Sequence, residues 1–357
     1  MGKIVVAVIF GGYSPEYKVS LNSAYSVLKA IDKNKYDTIM VGITNGGKWF
    51  IYDGSVEDIP TDNWVLMNSH LKRAFISADR GGGLMVIEDE QIKSLHVDIV
   101  FPVLHGRFGE DGTVQGLFEL ANIPIVGSGS AASALCMDKD RSHKLVSFAG
   151  ITVPKSICFD YTPTDEEILE AVQSLKLPLF VKPVKAGSSI GTVKKFSYAD
   201  IPRAVKEAFV YDDAVIIEEN INGKEVGCSV VGNDKLQTGR VNEIEVEAGG
   251  YFTYEEKYTL KASKIHTPAR IDAESEQKIQ ETGKTIYRIL GCRGYARIDM
   301  FLTDDGDVVF SEANTIPGFT AHSQLPRMME AAGIGYPELV EMLLELGMKV
   351  EKGEWYG

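Results

Sequence analysis

An α/β (α+β) fold that opens on a parallel sheet is predicted by three features of this 357-residue chain. KIVVAVIF (3–10) is a continuous apolar run ending at Gly11-Gly12, the pattern of a strand buried on both faces that enters a tight loop. Helical spacing follows in SLNSAYSVLKAI (20–31), then strands at DTIMVGIT (37–44) and DIVFPVL (98–104). This strand–helix alternation suggests an open, Rossmann-like winding. Apolar residues make up 44% of the chain, enough for a packed core and against disorder.

The remaining elements follow in order. Residues 45–95 hold GG, DG and GGG turns and read as a small hairpin insertion. MDKDRSHKLVSFAG (137–150) reads as a helix with acidic residues early and Gly at its end. LPLFVKP (177–183) is a strand, KAGSSIG (185–191) a Gly/Ser loop, and TVKKF a returning strand. AVIIEE (214–219) is a strand followed by the turn NING. Residues 224–247 read as two long strands about an Asn233-Asp234 turn, and 248–263 as a long loop of the kind that forms lids. A helix spans 272–290, ARIDMFL and DVVFSEA are strands separated by TDDGD, and 323–347 is mostly helical.

Charge and composition exclude some functions. The formal net charge of −13 argues against nucleic acid or an anionic membrane as the main partner. No run of about 20 apolar residues offers a membrane span. The four cysteines lie scattered without CxxC pairing, which fits a reducing cytoplasm and gives no zinc or disulfide signal. An acidic protein that binds polyphosphate must gather its cations locally, in Gly-rich loops.

Several groups could carry that chemistry. Lys182 ends an apolar strand just before 187-GSSIG-191, where backbone N–H groups can close on phosphate. That loop is no P-loop, and a hairpin turn explains it equally well alone. Lys139, opening a helix, could reach phosphate or simply be solvated. Glu218 and Glu225 flank the NING turn and could read an adenine amino group and ribose hydroxyls. In SEANTIPGFT (311–320), Glu312 and Asn314 stand two apart on a strand and so face one way, as do Arg297 and Asp299 on the strand before. Two carboxylates and an amide are hard oxygen donors suited to Mg²⁺, with Arg297 as a fixed cationic fork. The competing readings are a solvated edge strand and a cross-strand surface salt bridge. Glu16 and His105 sit at strand C-terminal ends, where open α/β sheets bind ligands.

Four segments then carry a resemblance: GGYSPEYKVSL (11–21), VFPVLHGRFGEDGTVQG (100–116), VKPVKAGSSIGT (181–192) and YARIDMF…FSEANTIPGFTAHS (295–323). Over essentially its whole length the sequence resembles the D-alanine–D-alanine ligases of the ATP-grasp superfamily. SALCMDKDR and EEKYTLKAS bring it nearest to the vancomycin-resistance D-alanine–D-serine ligases of the VanG type.

The resemblance implies three domains, here 1–127 (Rossmann-like, taking the first D-alanine), 128–217 (central) and 218–357 (C-terminal, with the metal site and lid loop 248–263). It implies that Lys139 and Lys182 bind ATP phosphates beneath a loop containing Ser188 and Ser189. Glu218, the backbone near Ile221 and Glu225 would hold adenine and ribose. Asp299, Glu312 and Asn314 would ligate two Mg²⁺ ions, for which Mn²⁺ could substitute. Glu16 would take the first substrate's ammonium, with Val19 and His105 nearby. Arg297 and the Gly318 N–H would stabilise an oxyanion, and Ser323 and Lys257 would hold the second substrate's carboxylate. Tyr258, Ser188 and Glu16 would latch the lid. A cytoplasmic homodimer acting on D-alanine, D-serine and ATP is the corresponding expectation.

The second substrate is read from Gln324 and Phe252. Ligases making D-Ala–D-Ala usually carry Leu at the former position, and D-Ser ligases often carry Arg; Phe at the latter resembles the D-Ser group. An amide can hydrogen-bond a hydroxymethyl group where Leu cannot, which favours D-Ser; a solvent-facing Gln324 would leave D-Ala equally accepted. A D-lactate ligase departs from the lid pattern that Lys257 and Tyr258 retain. A different ATP-grasp carboxylate–amine ligase, or a non-catalytic nucleotide-binding relic, completes the alternatives.

Overall fold

A computed structural model of the chain describes residues 2–246 and 263–349. The first apolar run forms β1 (Ile4–Gly11), buried from Val6 onward. It is flanked in parallel by β2 (Tyr36–Ile43) and β7 (Ile99–Pro102). Between these two, β3 (Trp49–Tyr52), β4 (Leu71–Ile76), β5 (Leu84–Glu88) and β6 (Gln91–Leu95) extend the sheet in antiparallel steps, in the order β6-β5-β4-β3-β2-β1-β7. The expected hairpin insertion at 45–95 is therefore a four-stranded meander. Its outer strand is almost wholly exposed, so it lacks the apolar alternation by which a strand is recognised.

Helix α1 (Tyr17–Ala30) covers one face of this sheet, burying Tyr17, Leu21, Ala24, Val27 and Leu28 against Val6, Val8 and Phe10. Helix α2 (Thr113–Leu120) covers the other, with Val114 and Phe118 against Ala7 and Ile9. Helices α3 (Ser130–Met137) and α4 (Lys139–Phe148) follow. The sequence reads a single helix over 137–150. The chain breaks instead at Asp138, whose Oδ1 accepts the Arg141 N–H at 2.9 Å and so caps α4.

A second sheet joins β8 (Ser156–Phe159), β9 (Leu179–Pro183), β10 (Val193–Lys195) and β11 (Val215–Glu219) in the order β10-β9-β11-β8, all antiparallel. Helices α5 (Asp165–Ala171) and α6 (Ile201–Ala208) supply its core. A third sheet is built from β12 (Lys224–Val231), β13 (Gln237–Thr238), β14 (Asn242–Val246), β15 (Ser263–His266), β16 (Tyr295–Leu302) and β17 (Val308–Asn314). The second long strand expected within 224–247 is split here into β13 and β14. Helix α7 (Ala273–Ile289) packs on its apolar face, with Ile279 and Ile286 against Val226, Cys228 and Ile298.

The 323–347 region is two helices, α8 (Gln324–Ala331) and α9 (Tyr336–Met348). They return to the N-terminal sheet: Leu339, Val340, Leu343 and Leu344 share a core with Val6, Val8 and Leu21. Gly294 and Gly127 meet so closely that a Cβ on Gly294 would lie 2.9 Å from the Gly127 Cα, so the approach needs glycine at 294. Cys136 and Cys292, far apart in sequence, lie with sulfurs 3.6 Å apart as free thiols. Among the described residues no helix is long and apolar enough to cross a membrane.

Phe319 locks these parts together. It is fully buried, with ring centroids 6.0 Å from Phe101, 5.3 Å from Tyr295 and 5.7 Å from Tyr336. Phe319→Ala should therefore cost about 3–5 kcal/mol in denaturant unfolding. A loss below about 1 kcal/mol would show that the three aromatic neighbours do not depend on it.

Candidate active site

Strands β16 and β17 run antiparallel, with Arg297 opposite Asn314 and Asp299 opposite Glu312. Alternation then sends all four side chains to one face and Ile298 and Ala313 to the core. Arg297 donates from Nε to Asp299 Oδ1 and from Nη2 to Oδ2, both at 2.7 Å, and Asn314 Nδ2 donates to Oδ2 at 2.9 Å. The pair lies within one strand and is largely buried, unlike the surface cross-strand bridge that was the alternative. Burial opposes the charge on Arg297, but Asp299 and then Glu312 hold its pKa above the ordinary value. The register shifts just past Asp299, leaving Ser311 as the extra residue. Its carbonyl accepts from His143 Nε2 at 2.7 Å.

Among the described residues no three His, Cys, Asp or Glu side chains form a metal cage. Two carboxylates and an amide oxygen on one face are instead the donor set of Mg²⁺, which retains waters and takes further oxygens from phosphate. The residues fit that ion.

Cations gather beside this face. Lys139 opens α4, and its Nζ donates to the Ala186 carbonyl at 3.0 Å and lies 3.7 Å from Glu312 Oε2. Lys182 projects from β9 to Glu218 Oε2 of β11 at 2.5 Å. Burial works to lower the Lys182 pKa, but Glu218 above all, with Glu312 and Glu225, raises it, so the ammonium stays charged. Glu218 is buried too; its carboxyl is held below the usual range because Lys182 and then His143 outweigh desolvation. Its Oε1 lies 3.5 Å from His143 Nδ1 and has no hydrogen-bond partner among the described residues. Such an orphan acceptor beside the 220–223 turn, which contains Ile221, fits a ligand amino group. Above Lys182, Ser188 and Ser189 both adopt positive φ, 51° and 57°, a conformation costing about 1–3 kcal/mol each for non-glycine residues.

Three loops meet on the other side. The Ser188 hydroxyl donates to Glu16 Oε1. Glu16 is buried, and its N–H donates to Ser14 Oγ at 3.0 Å. A Cβ on Gly106 would come 2.5 Å from Glu16 Oε2, so glycine is required there. Val19, on the first turn of α1, is half-buried. His105 donates from Nδ1 to the Ile316 carbonyl at 2.8 Å, so its Nε2 accepts from Ser23 Oγ at 3.1 Å. Ser23 Oγ in turn accepts the Phe319 N–H at 3.2 Å. His105 is thus a neutral strut fixing the 316–320 loop, and burial pushes its pKa below 6.5 against the opposing pull of Glu16. Gly318 lies beside Ser323, where an added Cβ would be 3.3 Å from the hydroxyl, and Ser323 Oγ accepts the Thr320 N–H at 3.0 Å.

Gln324 does not point to solvent. It is half-buried, and its Oε1 accepts from Asn242 Nδ2 at 2.9 Å. That contact engages Oε1 as the acceptor, which leaves Nε2 as the donor end of the amide. The expected residues Phe252, Lys257 and Tyr258, and the 248–263 lid apart from Ser263, which begins β15, lie outside the described residues. Sequence reasoning missed Asn242, Ser23 and His143. It also assigned no role to Glu110, whose pKa is pushed up to about 8 by burial first, then by Glu16 and Glu312. The only signal for Glu110 was its place inside HGRFGEDG.

Known proteins resemble this chain over nearly its whole length. Residues 5–128 match the family model described as D-ala D-ala ligase N-terminus, and residues 145–345 match D-ala D-ala ligase C-terminus. The vancomycin C-type resistance protein VanC2 of Enterococcus casseliflavus is 42% identical over 97% of this chain and 99% of its own. The D-alanine–D-alanine ligase of Caldicellulosiruptor bescii is 40% identical over 98% and 96%. The crystal structure of VanG D-Ala:D-Ser ligase from Enterococcus faecalis superposes with a TM-score of 0.91 at 50% identity, covering 97% of this chain and 100% of that one.

The His105 strut has a pH signature. The folded state refuses a proton that the unfolded state accepts near 6.5, so its contribution is intact above that pH and declines as pH falls below it. In thermal melts, the stability gap between wild type and His105→Gln should shrink from neutral to mildly acidic pH. A gap that is constant or widens on acidification would contradict the neutral assignment.

Proposed function

The chain belongs to the D-alanine–D-alanine ligase family and is a ligase that forms carbon–nitrogen bonds; on that premise we propose that it joins D-alanine to a second D-amino acid at the expense of ATP, with D-serine preferred. The observation that carries the general reading is the four-residue face of Arg297, Asp299, Glu312 and Asn314 beside two half-buried lysines, Lys139 and Lys182. The observation that supports the preference is the Asn242–Gln324 hydrogen bond, which engages the Gln324 oxygen and so leaves its Nε2 as the group to donate to a serine hydroxyl. We divide the chain as 1–127, 128–217 and 218–357, the nucleotide lying between the last two.

Each step places a demand on this chain's residues. Lys139 and Lys182 meet the ATP phosphates, with the 187–191 loop closing over them; the Glu218 Oε1 orphan takes the adenine amino group, and Glu225 the ribose. Asp299, Glu312 and Asn314 would hold Mg²⁺, which neutralises charge on the phosphates. Glu16, aligned by Ser188 and Ser14, takes the ammonium of the first D-alanine, so that its carboxylate meets the γ-phosphoryl group. Transfer gives an acyl phosphate and ADP. With Nε and Nη2 committed to Asp299, Arg297 keeps Nη1 for the oxyanion, joined by the Gly318 N–H. The neutral amine of the second amino acid, its carboxylate held by Ser323 and Lys257, attacks the acyl carbon. The tetrahedral adduct collapses to dipeptide and phosphate. Tyr258 latches the lid against water.

Supplying ATP, Mg²⁺ and D-alanine with either D-serine or D-alanine as competing second substrate, and weighing products by mass, tests the preference. Gln324→Leu should lower the D-Ser:D-Ala product ratio by about two- to tenfold, the worth of one hydrogen bond. An unchanged ratio would refute the assignment of Gln324. Asp299→Ala should cut turnover by about a hundredfold or more, since it removes an ion ligand and releases Arg297; near-normal rates would contradict both roles.

A further inference from the structure

β1 is the strand at which the N-terminal sheet reverses direction, with β2 on one side and β7 on the other. Its C-terminal end is the crevice in which open α/β sheets bind ligands. The loop after β1 divides that crevice. Glu16, Val19 and Ser23 lie toward the α1 face. On the opposite face, beneath α2, is a separate cavity of about 570 Å³, within the range of small-molecule sites.

Its lining is mainly apolar: Leu104 and Leu117 supply aliphatic surface, and Tyr13, Trp49 and Phe108 supply rings. Tyr13 is 65% exposed and Phe108 40%, with ring centroids 6.2 Å apart. Phe108 stands at a φ of 65°, held there by its N–H donating to Asp111 Oδ2 at 2.7 Å. An aromatic residue kept in a disfavoured conformation beside an open cavity is the kind of outlier that accompanies ligand contact. Among the described lining residues the one fixed charge is Arg107, whose guanidinium lies 5.0 Å from the Phe108 ring centroid.

The geometry points to a second ligand site that takes a small apolar molecule bearing a ring and one anionic group. Aromatic walls stack on the ring, and Arg107 at the exposed rim meets the anion. The site shares two residues with the substrate side. Ser14 Oγ donates to the His105 carbonyl at 2.8 Å and accepts from the Glu16 N–H, and both Ser14 and His105 line the cavity. Occupancy therefore acts on the loop that aims Glu16. This coupling rests on the reading of Glu16 as the first substrate's partner; the binding itself does not.

The test uses the full chain with a non-hydrolysable ATP analogue filling the nucleotide site. It is titrated with 1-anilinonaphthalene-8-sulfonate and with the uncharged N-phenyl-1-naphthylamine, following probe fluorescence. Saturable binding at one probe per chain is expected, the sulfonate tighter by about three- to fivefold. Leu117→Trp and Gly46→Leu, each placing bulk in the cavity, should weaken both probes by about tenfold or more. Arg107→Gln should erase the advantage of the sulfonate. In separate turnover assays, saturating sulfonate should change the KM for D-alanine by about twofold or more while leaving that for ATP in place. Absence of saturable binding, or binding that both cavity-filling variants leave unchanged, overturns the site. Equal affinity for the two probes overturns the anionic class. An unchanged D-alanine KM with binding intact overturns the coupling alone, whereas a probe-free chain that ignores D-alanine refutes the ligase reading instead.

Discussion

The alignment of Asp299 against Glu312 and of Arg297 against Asn314 is the constraint on which the rest of the site depends. A slip of one residue in either strand would send its pair to the core and bury an unpaired charge. The cross-strand hydrogen bond from Asn314 Nδ2 to Asp299 Oδ2 resists that slip, because it holds only while the two strands keep this register. The shift just past Asp299 adds Ser311, and His143 meets the carbonyl that the shift exposes. His143 also stands beside Glu218, so one histidine links β17 to β11.

Around that face, three chain segments distant in sequence are tied by side chains rather than by sheet pairing. Ser188 reaches Glu16 across from the central sheet, Lys139 bridges the 185–187 backbone and Glu312, and His105 ties the β7 loop to Ile316. The ties are local, and the loops between them are short of regular structure, so the site can be tight without the whole molecule being rigid. Positive φ at Ser188 and Ser189 places strain in the 187–191 loop, the segment proposed to close over the phosphates, where a conformational change on nucleotide binding would relieve it. Acid crowding adds to this poise: burial first, then Glu16 and Glu312, push the Glu110 carboxyl up to about 8.

Much of this was legible in the sequence wherever a pattern was local. The uninterrupted run of β1, the helical spacing of α1 and the two-residue spacing in 297–299 and 312–314 each declare their geometry through neighbours in the chain. Patterns failed where the partner was remote. In the meander at 45–95, β6 is exposed, and β4 and β5 alternate in burial but carry apolar Phe75 and Ile87 at exposed positions, which hides the two-residue period. Helices α2, α3, α5 and α6 and strand β8 go unassigned in the sequence reading. Of these, α6 does carry a helical spacing, at Ile201, Ala204, Val205 and Ala208, and α5 a capping box at Thr164 and Glu167, so both had a local signal that their short length obscured. Asn242 reads as an ordinary strand residue until folding brings it to Gln324, and Cys136 reads as solitary until α3 meets Cys292. Glu110 owes its raised pKa to burial first and then to Glu16 and Glu312, which lie far from it in the chain on either side and outside any local pattern. The family resemblance supplied roles for residues 252–258 that spacing alone could not.

The central claim is that the shared face of β16 and β17 holds divalent ions together with the nucleotide's phosphates. Electron paramagnetic resonance of Mn²⁺, titrated into the chain with a non-hydrolysable ATP analogue, measures it directly. A coupled pair of bound ions is predicted for the wild type, with loss of the pair in Glu312→Gln. Nucleotide-dependent Mn²⁺ binding that is absent from the wild type, or indifferent to the loss of Glu312, would contradict the account.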